Sequence, residues 1–121
     1  MSQFNVQKLG GITVVDFTVA SLMDRIDLEK LGGDLYKLVD DQDLRHIILD
    51  FSIVQYLSSQ AIGILLSLRK KMAALKGSHL VMCGVGPRLM ELLKITRLDV
   101  VFTVKADQKE ALRWMERQGV K

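Results

Sequence analysis

Two short apolar runs constrain this chain most: Ile47 to Phe51 (IILDF) and Leu80 to Val85 (LVMCGV). Ile47-Ile48-Leu49 is continuously apolar, the pattern of a strand covered on both faces. Between the runs, Ala61, Leu65, Leu68, Met72 and Leu75 recur at helical spacing. Ser58 to Lys76 is therefore expected to be the longest helix, with Gly77 stopping it. A strand that returns after a helix of this length makes a right-handed parallel crossover.

The remaining segments extend that unit. Phe4 to Leu9 and Ile12 to Thr18 are β-rich and flank Gly10-Gly11, which reads as a hairpin turn. Met23 to Val39 predicts a helix, because Leu28, Leu31, Leu35 and Leu38 share one face. Gly32-Gly33 weaken that helix unless they permit close packing or precede its start. Asp40 to Asp43 form a polar turn. Pro87 suits the first turn of a short helix, PRLMELLKI. Val100 to Val104 is expected to be the last strand. Asp107 then caps a terminal helix carrying Ala111, Leu112, Trp114 and Met115. The expected order is ββαβαβαβα, a mixed sheet covered by helices on one or both faces.

At 121 residues and 49% hydrophobic composition, the chain suits one domain with one core. A membrane-spanning helix needs about 20 apolar residues. The best stretch, Ala61 to Leu68, is interrupted by Gly63 and Ser67, so direct membrane insertion is not expected. The start, MSQFNVQKLGG, lacks a signal-peptide pattern, and Cys83 is the only cysteine. A cytoplasmic location without disulfides follows as an expectation.

The net charge of +3 is too small to imply nucleic acid. Its distribution is uneven. From Asp16 to Asp50, nine acidic residues oppose four basic ones, a net of −5. From Arg69 to Arg97, seven basic residues oppose Glu91 alone, a net of +6. Such asymmetry either steers a charged partner or marks two solvated helix surfaces.

Candidate chemistry is sparse. No Walker-type phosphate loop occurs, and Gly84-Val85-Gly86 reads as a turn before it reads as a phosphate cradle. His46 and His79 each open a strand and have no metal-ligand partners at the right spacing. They lack a nucleophile unless folding brings Ser59 to one of them. Neither a catalytic residue nor a metal or cofactor site is expected. Cys83 reads as a small buried hydrophobe, and Trp114 as a packing residue.

The remaining feature is Ser58-Ser59. Ser58 fits an N-cap, whose oxygen accepts from first-turn amides. Ser59 then stands at the first helical position, where a phosphate would face unpaired amides and the positive end of the helix dipole. On spacing alone, the pair is either a doubled cap or a modification site.

The stretch LRHIILDFSIVQYLSSQAIGILLSLRKKM resembles the central segment of STAS domains, especially bacterial anti-sigma factor antagonists. Asp50-Phe51-Ser52 matches the strand end of that family and Tyr56-Leu57 its apolar pair. Ser59 falls at the phosphoacceptor serine, while Ser58 replaces the family's Asp, Gln60 its second hydroxyl and Ala61 its glycine. The ending LLKITRLDVVFTVKADQKEAL is similar too. The resemblance implies one STAS domain over residues 1–121, its sheet covered by helices on one side. It implies a binding module rather than an enzyme. The partner would be an anti-sigma factor acting as a serine kinase, and a phosphatase would reverse the modification. Ser59 is the implied phosphoacceptor, with Ser58 second. Tyr56, Leu57, Ser58, Ser59 and Gln60 form the expected partner surface, extended by Arg69 and Lys70. The alternative is a STAS subunit of a membrane-associated lipid or anion transport complex that does not switch.

Overall fold

The computed structural model describes residues 3–42 and 44–120. Asp43, the last residue of the expected polar turn, lies outside the described residues.

β1 (Phe4–Leu9) and β2 (Ile12–Phe17) form the expected antiparallel hairpin, with Leu9 opposite Ile12. Gly10 turns the chain at φ +63°, which glycine adopts at little steric cost. A two-residue strand, β3 (Ser21–Leu22), precedes α1 (Arg25–Asp40). The Asp27 amide donates to Asp24 Oδ1 at 3.2 Å and so satisfies one first-turn donor. Leu28, Leu31, Leu35 and Leu38 are all buried, as their spacing predicts. The helix runs straight through Gly32-Gly33. A Cβ at Gly32 would meet Ile64 Cδ1 at 3.4 Å, so this glycine lets the second long helix approach closely.

β4 (His46–Asp50) leads through the two-residue β5 (Tyr56–Leu57) to α2 (Ser59–Ala73). At 15 residues, α2 is shorter than the 16-residue α1, contrary to the expectation that it would be the longest helix. It ends before Gly77 because Ser78 Oγ donates to the Met72 carbonyl, which gives the final turn a partner outside the helix. β6 (His79–Cys83) follows, then α3 (Pro87–Ile95) with Pro87 in its first turn.

The expected strand from Val100 to Val104 is corrected. Leu98–Val101 forms a short helix, α4, and only Thr103–Lys105 is extended, as β7. Leu98 and Phe102 are buried four residues apart, whereas Val100 is 79% exposed. That burial has a helical period, and it outweighs the β propensity of Val100-Val101. α5 (Gln108–Arg117) closes the fold, with the Asp107 side chain accepting from the Glu110 amide at 2.9 Å.

The main sheet has the order β1-β2-β4-β6-β7, parallel except for β1. The result is a mixed α/β domain with β4 at its centre. Alternation along β4 sends Ile47 and Leu49 into a large core with α1 to α4. Ile48 points the other way, into a smaller core with Val14, Val81, Ala111 and Met115. Of the arrangements that the pattern allowed, helices on one or both faces, the structure takes the second, and the one-sided cover implied by the resemblance is corrected. An apolar second face exists, and α5 buries it.

Candidate functional site

β4 brings the chain to the C-terminal edge of the parallel strands, and the backbone beyond it is tied down stepwise. Phe51 N donates to Cys83 O at 2.9 Å, Gln55 N to Ala20 O at 2.7 Å and Ser58 N to Leu22 O at 3.0 Å. β3 and β5 pair in parallel, Ser21 opposite Tyr56 and Leu22 opposite Leu57. The approach to α2 therefore has a fixed path.

Ser58 takes the N-cap conformation, φ −79° and ψ 168°, and its Oγ accepts from Ala61 N at 3.1 Å. That hydroxyl is occupied by the cap. Ser59 is the first residue of α2 and is exposed. Its hydroxyl makes no hydrogen bond among the described residues. One stripe of α2 faces solvent from this point: Ser59, Gly63, Leu66, Lys70 and Ala73, spaced four, three, four and three residues apart. A Cβ at Gly63 would meet nothing within 4 Å.

The other singled-out residues divide. Gln60 is exposed beside Ser59. Tyr56 is 42% exposed, but Leu57 is only 8% exposed and packs in the large core. Leu57 anchors the turn rather than presenting contact surface. Lys70 lies on the Ser59 stripe. Arg69 lies off it, and its Nε donates to Val101 O at 3.0 Å.

Several neighbours escaped the sequence reading. Arg88, at the start of α3, lies over the Tyr56 ring at 5.1 Å and donates through Nη1 to the Tyr56 hydroxyl. This cation–π contact orients the exposed ring. Asp50 is 6% exposed and fully engaged. Its Oδ1 accepts from Ser52 N at 2.8 Å and Ser52 Oγ at 2.5 Å, and its Oδ2 from Gln108 Nε2 at 2.7 Å. These bonds join the site loop to α5. Gly84 makes room for them: at φ +69°, a Cβ there would fall 2.5 Å from Ser52 Oγ. The available signal was the recurrence of small and polar residues at strand ends, DFS after β4 and CGVG after β6. Asp16, opposite Asp50 in the sheet, has its carboxyl raised above the ordinary range by burial and by the Asp50 charge.

His46 and His79, read as isolated, are in fact cross-strand neighbours with Nδ1 atoms 3.0 Å apart. They stand at the N-terminal ends of β4 and β6, away from Ser59, so folding does not bring Ser59 to a histidine base. Cys83 is buried, and burial pushes its thiol up to about 12, which suits a packing residue. Among the described residues, no group of three or more His, Cys, Asp or Glu side chains could hold a metal ion. Among the described residues, no helix is long and apolar enough to cross a membrane.

A mixed five-stranded sheet with helices on both faces, and a capping serine followed by an exposed serine at the head of a solvent-facing helix stripe, define a small α/β domain. The chain belongs to the STAS domain family, whose model matches residues 3–111. Its fold is that of an anti-sigma-factor antagonist (STAS) domain protein from Planctomyces limnophilus. The two superpose with a TM-score of 0.83 at 21% identity, over 95% of this chain and 98% of that one. An anti-sigma factor antagonist from Mycobacterium paratuberculosis matches with a TM-score of 0.81 at 22% identity, over 93% and 92% of the two chains. A sulfate transporter family protein from Wolinella succinogenes matches with a TM-score of 0.74 at 15% identity, over 93% and 92%.

Proposed function

We propose that this protein is an anti-sigma factor antagonist, a binding protein without catalysis of its own. It captures an anti-sigma factor that is also a serine kinase, and phosphorylation of Ser59 ends the capture. A phosphatase restores the binding form. The contact surface is Tyr56, Ser59 and Gln60, continued along Gly63, Leu66 and Lys70. Leu57 and Ser58 hold that surface from beneath.

One observation carries the switch: adjacent hydroxyls with opposite engagement. Ser58 Oγ accepts the Ala61 amide, while the Ser59 hydroxyl is exposed and makes no hydrogen bond among the described residues. A kinase can reach the second without breaking the cap. A phosphate on Ser59 would sit at the positive end of the α2 dipole, so the free protein tolerates it.

In the complex the same charge is buried against a surface shaped for a neutral hydroxyl. That costs about 2–5 kcal/mol, or roughly 30- to several-thousand-fold in affinity. The test is co-purification to identify the kinase partner, followed by phosphopeptide mapping and calorimetric affinity. Ser59→Ala is expected to bind and resist modification. Ser59→Asp is expected to fold and lose the partner. Equal affinities for wild type, Ala and Asp would reject the switch. Recovery of transporter subunits instead of a kinase would favour the non-switching transport reading, which shares this fold.

A further inference from the structure

Ten residues beyond Ser59, about 15 Å along α2, a second feature opens at the C-terminal end of the helix, where Ala73, the last residue of the Ser59 stripe, is one of its walls. It is a cavity of about 230 Å³ between α2, β6, the α4–β7 edge and α5. Arg69, Met72, His79, Phe102, Thr103 and Trp114 are among its walls. It is smaller than the roughly 300–1,000 Å³ of sites for drug-sized ligands.

Its walls are rich in donors and carry no carboxylate. The bond from Arg69 Nε to Val101 O, 3.0 Å long, pins the guanidinium at the rim. The two Nη groups have no protein partner among the described residues. Trp114 is half-buried, and its indole N–H makes no hydrogen bond among the described residues. Its ring stands edge-on to His79 with centroids 5.7 Å apart. His79 in turn is held by His46, Nδ1 to Nδ1 at 3.0 Å. Met72 and Phe102 are buried and supply the apolar side. A planar guanidinium with free donors matches a carboxylate, and aromatic walls match a flat ring.

We infer that this cavity is a binding site for a small aromatic carboxylate, with the carboxylate on Arg69 and the ring packed against the edge-on Trp114–His79 pair. The site lies at the opposite end of α2 from Ser59, and its existence does not depend on the proposed switch. Lys70, on the partner stripe, takes no part in it.

The experiment titrates benzoate into the ¹⁵N-labelled full chain and follows backbone amides together with the indole N–H, which comes from the single tryptophan. Benzamide serves as the neutral probe of the same shape. The expected result is saturable shifts centred on His79, Thr103 and the Trp114 indole, with benzamide at least about tenfold weaker. Arg69→Gln keeps a long helix-forming side chain and removes the charge. It is expected to weaken benzoate by a similar factor with an unchanged reference spectrum. Shifts that do not saturate, that centre elsewhere, that are equal for benzamide, or that survive Arg69→Gln would each overturn the assignment. If Arg69→Gln perturbs the fold, the wild-type comparison of benzoate with benzamide decides alone.

Discussion

Replacing Ser58 by Ala removes the oxygen that accepts the Ala61 amide and leaves a first-turn donor of α2 unsatisfied. The expected loss is about 1 kcal/mol, seen as a lower unfolding midpoint in denaturant with an unchanged slope. Ser59→Ala should leave that midpoint within about 0.5 kcal/mol, because its hydroxyl makes no hydrogen bond among the described residues. If the two variants lose equal stability, the division of labour between the serines is wrong. The histidines make a second test at this scale. Nδ1 atoms 3.0 Å apart need one N–H and one lone pair, so the pair does not hold two imidazolium charges in this geometry. His46 is lowered from its ordinary 6.5, first by burial, then by His79 and Arg45. Its protonated form is thus disfavoured by folding. The stability it contributes is complete above about 6.5 and declines as the pH falls toward its lower folded value. His46→Asn should flatten the fall in melting temperature below that pH. A wild-type curve already flat there, or an unchanged slope in the variant, would remove the pair from the account of acid stability.

Gly63 raises an element-scale question, since glycine inside an exposed helix costs about 1 kcal/mol relative to alanine. Gly32 has an internal reason, the close approach of Ile64. Gly63 has none, because a Cβ there would meet open space. Gly33, exposed on α1, is equally open, so open space by itself does not mark an interface; for Gly63 the proposed capture supplies a reason, a partner lying close over the Ser59 stripe. Gly63→Ala should therefore stabilise the free protein by roughly 0.5–1 kcal/mol. Gly63→Arg should fold normally and lose capture of the kinase partner. Unimpaired capture by Gly63→Arg would move the interface off this stripe. The elements that carry this surface were legible because periodicity spoke for them. Leu28 to Leu38 and Ala61 to Met72 are long enough for a helical stripe to stand out, and Ser58, Pro87 and Asp107 carry capping chemistry of their own. The two-residue strands β3 and β5 have no period to read. They exist through main-chain bonds between segments some thirty residues apart. The Asp50–Ser52–Gln108 junction escaped for the same reason: it joins residues 58 positions apart, and a single chain does not announce such pairs.

On the scale of the whole molecule, the uneven charge is partly neutralised within the fold. Acidic α1 and basic α2 pack together, and Lys71 Nζ meets Asp40 Oδ2 at 3.0 Å across their junction. Being exposed, that pair adds little stability. What unites the domain is a sheet buried from both sides, and the two sides are unequal. The face toward α1 to α4 carries most of the apolar residues, including Phe17, Phe51 and Met82, whereas α5 alone covers Ile12, Val14, Ile48, Val81 and Cys83. The continuous apolar run at Ile47 to Leu49 had announced cover on both faces. That α5 would supply the second cover was not legible, because Ala111 and Met115 suit either side. If α5 is integral to the fold, Met115→Ala leaves a cavity under it and costs about 2–5 kcal/mol. Ile48→Asp, which places an unpaired charge in the same layer, costs several kcal/mol against a total of roughly 5–15. Both should act on one cooperative transition, since Ile48 belongs to the central strand that also carries the large core. Thermal unfolding followed by far-ultraviolet circular dichroism and by fluorescence of Trp114 on α5 tests this. Coincident curves that shift together would establish a single two-sided core. A fluorescence transition preceding the loss of secondary structure, or Met115→Ala without effect, would make α5 a detachable cover. The Gln108 bond to Asp50 would then be a latch on the candidate site rather than part of its foundation.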